Sequence, residues 1–111
     1  MIHILKTHPT EFEAVRMGRK THEIRKLDGQ EAYRVGDKLH LREWDPDKNG
    51  GQYTGRECIV GVTHVTPGGA WQIPSDVCVM SIKLMAESSP TEEGLLGTLE
   101  KIVGGFERIA G

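Results

Sequence analysis

A chain that carries Asp45-Pro46-Asp47-Lys48-Asn49-Gly50-Gly51 between two alternating runs is committed to a β-hairpin at its centre. Pro46 presets φ, and Asn49-Gly50 supplies the positive φ that closes a tight reversal. Before the turn, Lys38 to Trp44 alternates, with Leu39 and Leu41 facing one way and Lys38, His40, Arg42 and Trp44 the other. The first set is core; the second is a basic row ending in an indole. After the turn the chain returns as Tyr53 to Val65, where Gly55 and Gly61 suggest bends or a bulge.

The remaining segments add strands to this hairpin. Ile2 to Thr7 reads as a strand ended by His8-Pro9. Thr10-Glu11-Phe12-Glu13 fits a capping box, in which Thr10 accepts from the Glu13 amide while the Glu13 carboxylate reaches back. The helix then runs through Ala14, Val15 and Met17, with Gly18 as its left-handed cap. At about two turns it is too short to stand alone, so Phe12 and Val15 must pack on a sheet. Strands follow at Thr21 to Lys26 and Val77 to Met85, the latter with Cys78, Met80, Ile82 and Leu84 on one side. Asp28-Gly29-Gln30 and Thr66-Pro67-Gly68-Gly69 are loops. The class this predicts is mainly β (α+β): a small pseudo-β-barrel over residues 1–86 with one short N-terminal helix.

Residues 87–111 read differently. Ser89 is a candidate cap, Pro90 suits the first helical position, and Glu92 and Glu93 complement the dipole. Leu95, Leu96, Leu99, Ile102, Val103, Phe106 and Ile109 fall on one stripe at helical period. An appended C-terminal amphipathic helix is expected there. Its glycines (94, 97, 104 and 105) would each weaken it by about 1 kcal/mol relative to alanine, so it needs a surface to lie on. That surface is its own barrel or, as the alternative, a second copy through self-association of the 91–109 helix.

Among 111 residues the formal net charge is −2, so the chain is no polycation, and any nucleic-acid contact must come from a local basic face. Cys58 and Cys78 form no C-x-x-C pair and read as buried packing groups in a reducing, cytoplasmic protein. The histidines at 3, 8, 22, 40 and 64 make no H-x-x-x-H pair, so neither metal nor cofactor is expected. Met1-Ile2-His3 runs directly into strand-like sequence, and no apolar run reaches membrane length, so neither a leader nor a membrane partner is expected.

The chemistry concentrates in Gly18-Arg19-Lys20-Thr21-His22-Glu23-Ile24-Arg25-Lys26. Alternation puts Thr21, Glu23 and Arg25 on one face and His22 and Ile24 on the other, with Lys20 able to swing towards the first set. Strands seldom carry so many charges, so this one is either very exposed or lines a site.

Leu5-Lys6, Phe12-Glu13-Ala14-Val15 and this Gly18–Lys26 stretch resemble the helix and G-x-K-x-x-E-x-R signature of ASCH/PUA-like domains. Val35-Gly36-Asp37, Leu41-Arg42-Glu43-Trp44-Asp45-Pro46, Tyr53-Thr54-Gly55-Arg56 and Val79-Met80-Ser81-Ile82 are similar to a small bacterial and phage branch of unknown function. The resemblance covers roughly residues 1–85. It implies a five- or six-stranded PUA-like pseudo-barrel with a cleft holding the signature residues, and a role in RNA binding. Some members are enzymes, either amidohydrolases that deacetylate acetylcytidine or ribonucleases.

Three readings of the cluster follow. In the first, Glu23 and Arg25 merely brace the strand against Lys20 or Glu43. In the second, single-stranded RNA or a nucleotide enters the cleft: Lys20, Thr21, Glu23, Arg25 and Lys26 bind it, Trp44 or Trp71 stacks on a base, and Arg42 extends a basic track with Lys38 and His40. In the third, hydrolysis uses Lys20 as a base acting on Thr21 or water, with Glu23 as proton shuttle. Against the third, acetylcytidine deacetylases carry threonine where this chain has Glu23, and the loop Thr66 to Asp76 lacks the further glutamate that they use.

Overall fold

In a computed structural model, residues 1–27 and 32–89 are described. The elements run β1 (Ile2–Thr7), α1 (Pro9–Arg16), β2 (His22–Lys26), β3 (Lys38–Asp45), β4 (Gln52–Thr66) and β5 (Val77–Ser88). The loop expected at Asp28-Gly29-Gln30 and the helix expected over 91–109 lie outside the described residues.

The five strands form one curled half-barrel sheet in the order β1-β3-β4-β5-β2. β3, β4 and β5 are successive antiparallel neighbours, β2 adds antiparallel to β5, and β1 adds parallel to β3. The central hairpin is present as the sequence requires, with Asn49, Gly50 and Gly51 at φ 50°, 76° and 114°. Gly51 has a second reason to be glycine: a Cβ there would lie 2.2 Å from Trp44 Cζ2, so the bare backbone is what lets the indole lie over the turn.

The expected bends are real. Pairing slips between Arg42 and Trp44 on β3, opposite the part of β4 that holds Gly55 at φ 91°. It slips again between Ile59 and Val60 and between Val62 and His64 against β5. Such slips curl a sheet that would otherwise stay flat. They also let β5 continue three residues beyond Met85, to Ser88 opposite Glu57.

Alternation decides the core. Leu39 and Leu41 of β3, Cys58, Val60 and Val62 of β4, and Cys78, Met80 and Ile82 of β5 are buried together. Phe12 and Val15 of α1 plug this concave face, which is how so short a helix is held. Burial pushes the Cys58 thiol up to about 12 and raises Cys78 as well, so both are inert packing groups.

The start of α1 corrects the capping-box expectation. Its cap position is His8, no side chain caps it, and Pro9 occupies the first turn. Proline's fixed φ suits that position and its missing N–H would have no partner there anyway, so the helix begins ahead of Thr10. Glu13, freed from capping, accepts from Arg16 Nη2 and Arg56 Nη2, each at 2.6 Å, and ties the helix to β4. Those guanidiniums lower the Glu13 carboxyl from 4.5 to about 2. A carboxyl whose folded value lies below its unfolded one contributes stability that is complete above the unfolded value and lost as pH falls through the folded one. Urea midpoints are therefore expected to fall between about pH 4.5 and pH 2, and Glu13→Gln to flatten that part of the curve. An unchanged acid limb in the variant would show that the link contributes nothing.

At the other end of β1, Asp37 accepts from His3 Nε2 at 2.8 Å and from the Arg34 amide at 3.0 Å. Burial alone would raise Asp37, but these donors and the Met1 amine outweigh it and hold it below its ordinary value. This clamp sets the register of β1 beside β3.

Candidate functional site

Because β1 and β2 are the two free edges of a curled sheet, they face each other across a seam that no backbone ladder closes. Arg25 spans it. From β2, its Nη1 donates to the Lys6 carbonyl at 3.2 Å and its Nη2 to Thr7 Oγ1 at 3.3 Å, both on β1. Its Nε donates to Glu23 Oε2 at 2.8 Å. One guanidinium thus joins both edges to a buried carboxylate.

The turn after α1 sets the second cation. Gly18 takes φ 79°, and the Ala14 carbonyl accepts from both the Arg19 and Lys20 amides at 2.9 Å. This closure points the chain straight into β2, which begins at His22, one residue later than the sequence suggested. Lys20 Nζ then lies 3.2 Å from Glu11 Oε2 and 3.3 Å from Glu23 Oε1.

Glu23 is the centre of the arrangement. It is 2% exposed, while its neighbour Ile24 is 59% exposed, so the alternation puts the acid inside and the apolar residue outside. That inverts the normal economy of a strand, since an ionised group is among the costliest to bury. Oε2 is satisfied by Arg25. Oε1 is buried with no hydrogen bond: Lys20 Nζ is close enough but off the line a hydrogen bond requires.

A cavity of about 610 Å³ opens over this group along the seam. Its walls come from the end of β1 (Lys6, Thr7, His8), from α1 (Glu11, Ala14), from the turn (Arg19, Lys20) and from β2 (His22, Glu23, Ile24, Arg25). Lys6, Arg19, Lys20 and Arg25 against Glu11 and Glu23 leave it net positive in a chain of net charge −2. It is thus a locally basic face on a chain whose overall charge is negative. Trp44 stands at the rim, with Lys6 Nζ 4.1 Å from its ring centroid and the His8 imidazole stacked at 5.8 Å.

Of the residues singled out from the sequence, Lys20, Glu23 and Arg25 converge, and Trp44 touches two wall residues. The others lie elsewhere. Thr21 is exposed and outside the cavity wall, and its carbonyl accepts from the Ile82 amide at 3.0 Å. Lys26 is exposed and pairs with Asp76 at 3.7 Å. Arg42 and His40 share Glu57 at 3.2 and 3.1 Å, and Arg42 lies over the Tyr53 ring, so the expected basic row is largely neutralised. Trp71 is 85% exposed on the β4–β5 loop and lines no part of the cavity. Of the two partners suggested for the Glu23–Arg25 pair, Lys20 is the one that meets it, whereas Glu43 accepts from Thr54 Oγ1 at 2.7 Å and pairs with Arg56.

Sequence reading missed Lys6, Thr7, His8, Glu11, Ala14 and Arg19 as wall residues, and it placed His22 and Ile24, which also line the cavity, on the opposite face of the strand. The G-x-K spacing could have drawn attention to Arg19, whereas the β1 residues enter only through the parallel β1–β3 pairing. Among the described residues no cluster of three or more His, Cys, Asp or Glu side chains could hold a metal ion, and no helix is long and apolar enough to cross a membrane.

Fold and site together define a small half-barrel protein with a cationic pocket at its open seam. Residues 2–82 match the family described as Domain of unknown function (DUF3850), and the chain belongs to that family. It is also similar to an uncharacterized 12.9 kDa protein in the GpA 3' region of Escherichia phage P2, with 32% identity over 96 residues, 79% of this chain and 83% of that protein.

Proposed function

We propose that this is an ASCH/PUA-like domain that binds single-stranded RNA or a nucleotide in the seam pocket, within the cytoplasm. The observation that carries the reading is the seam cavity itself, where Lys6, Arg19, Lys20 and Arg25 outnumber Glu11 and Glu23 in a chain of net charge −2. Basic wall residues would contact phosphate, Trp44 at the rim would stack on a base, and the concave shape suits an unpaired nucleotide better than a duplex. The buried thiols are compatible with a reducing compartment.

Hydrolysis is the weaker reading. Thr21 is outside the cavity, and Lys20 Nζ, the base of that reading, is engaged by the Glu11 and Glu23 carboxylates. Titration of the protein with a short single-stranded RNA at two salt concentrations tests the binding reading. Lys20→Ala and Arg25→Ala are each expected to weaken binding about tenfold, corresponding to the loss of a charge-assisted hydrogen bond. Each should also reduce the magnitude of the log–log salt slope by about 0.7 per lost phosphate contact. Unchanged affinity and slope in both folded variants would overturn the reading.

A further inference from the structure

We infer that residues 90–111 lie back across the outer face of β4 and β5, with their apolar stripe over Ile59. This concerns the face of the sheet turned away from α1 and does not depend on what the seam pocket binds.

Cys58 and Val60 belong to the core, so period two turns Ile59 between them to the other, convex face. Ile59 is nevertheless 0% exposed. Its described neighbours on that face do not account for such burial. It lies opposite His40 of β3 and Ala86 of β5, and Glu57 and Gly61 flank it along β4. His40 is drawn to Glu57 at 3.1 Å, Ala86 ends at a methyl, and Gly61 has no side chain. Side chains on a convex face splay apart, so an isoleucine among these neighbours stays partly wet unless something lies across it. Ser88, opposite Glu57 on the same face, is only 6% exposed, and its Oγ is buried without a hydrogen bond. The cover is local. Ile4 on β1 and Ser81 and Lys83 on β5 remain exposed.

Position, hydrophobicity and charge together name the occupant. The described chain ends at Ser89, one residue beyond Ser88, so residues 90–111 set out beside the covered patch. Their apolar positions from Leu95 to Ile109 recur at helical period and need a surface to cover them. Gly61, next outward along β4 from Ile59, lies opposite both Lys38 and Lys83, and a Cβ there would meet Met85 Sδ at 3.2 Å. Ile59, Met85 and Ala86 thus form an apolar trough with a lysine on either side. Neither ammonium has an anion among the described residues. The segment brings Glu92, Glu93, Glu100 and Glu107 against Lys101 and Arg108, so its charge complements that rim.

The test is paramagnetic broadening in the full-length, isotope-labelled protein. Ser81→Cys, exposed on the same face of β5, takes a nitroxide selectively because Cys58 and Cys78 are buried. Amide signals of residues 95–106 are expected to lose most of their intensity and to regain it when the nitroxide is reduced. Leu99→Asp in the same chain should abolish the broadening while the barrel's own signals stay in place. Undiminished signals from 95–106, or broadening that survives Leu99→Asp, would overturn the inference. Equal broadening of an isotope-labelled chain by a separate, nitroxide-bearing copy would seat the stripe on a second molecule and overturn it as well.

Discussion

Glu23→Ala is expected to destabilise the protein by about 3 kcal/mol, because it strands Arg25 and Lys20 in a largely buried setting without their shared anion. Both cations are mostly covered, with side-chain exposures of 22% and 16%, so solvent screening only partly relieves them. For a domain of this size that is a fall in melting temperature on the order of 15 °C. Removing the whole group should behave differently. Buried ion networks replaced by apolar residues of similar size are often neutral or stabilising, since desolvation of the charges is avoided. The triple variant Lys20→Met, Glu23→Leu, Arg25→Met is therefore expected to melt within a few degrees of the unaltered protein while losing RNA binding. A triple variant as unstable as Glu23→Ala would mean that the cluster exists to hold the seam together.

The second large effect is expected in the loop between β4 and β5. Gly68→Ala would place a Cβ 2.0 Å from the Pro74 carbonyl oxygen and 2.3 Å from that of Val77, both backbone atoms. The loop is closed by Gly69 N–H to the Ile73 carbonyl at 2.8 Å and by Val77 N–H to the Pro74 carbonyl at 3.0 Å, and Val77 itself is held in β5 opposite Lys26 of β2, so neither residue retreats freely. Trp71 and Gln72 sit within it at φ 55° and 62°, a conformation that only a well-determined surround maintains. A loss of about 3 kcal/mol is expected from chemical denaturation, at the upper end for an overpacked site. RNA affinity should change little, because Trp71 lines no part of the cavity. A variant that keeps full stability would show the loop to be loosely held, and one that loses RNA affinity while folded would bring Trp71 into the site.

Much of the architecture was legible because local chemistry dictates it. The turn at 45–51, the alternation through Leu39 and Leu41, and Gly18 after a short amphipathic helix each specify a conformation without reference to the rest of the chain. The inward face of β2 was legible too, since period two leaves only the choice of which face is buried. What could not be read were consequences of pairing. The Arg42–Glu57 contact depends on register across the hairpin, and the neutralised basic row with it. The β1 contribution to the site depends on a parallel pair joined across intervening strands, which no local pattern announces. Pro9 against Thr10 was a contest between two legitimate start signals, and the rigid ring won. Glu13 then found its partners on α1 and on β4, where only the folded chain could bring Arg56.

The most direct measurement is a map of backbone amide chemical-shift changes on adding a single-stranded RNA hexamer to the isotope-labelled protein. The largest changes should fall on residues 6–8, 11 and 19–25, the two edges and the turn that enclose the seam. Changes confined to the outer face of β3 and β4 around His40, Arg42 and Glu57, with the seam unmoved, would contradict it.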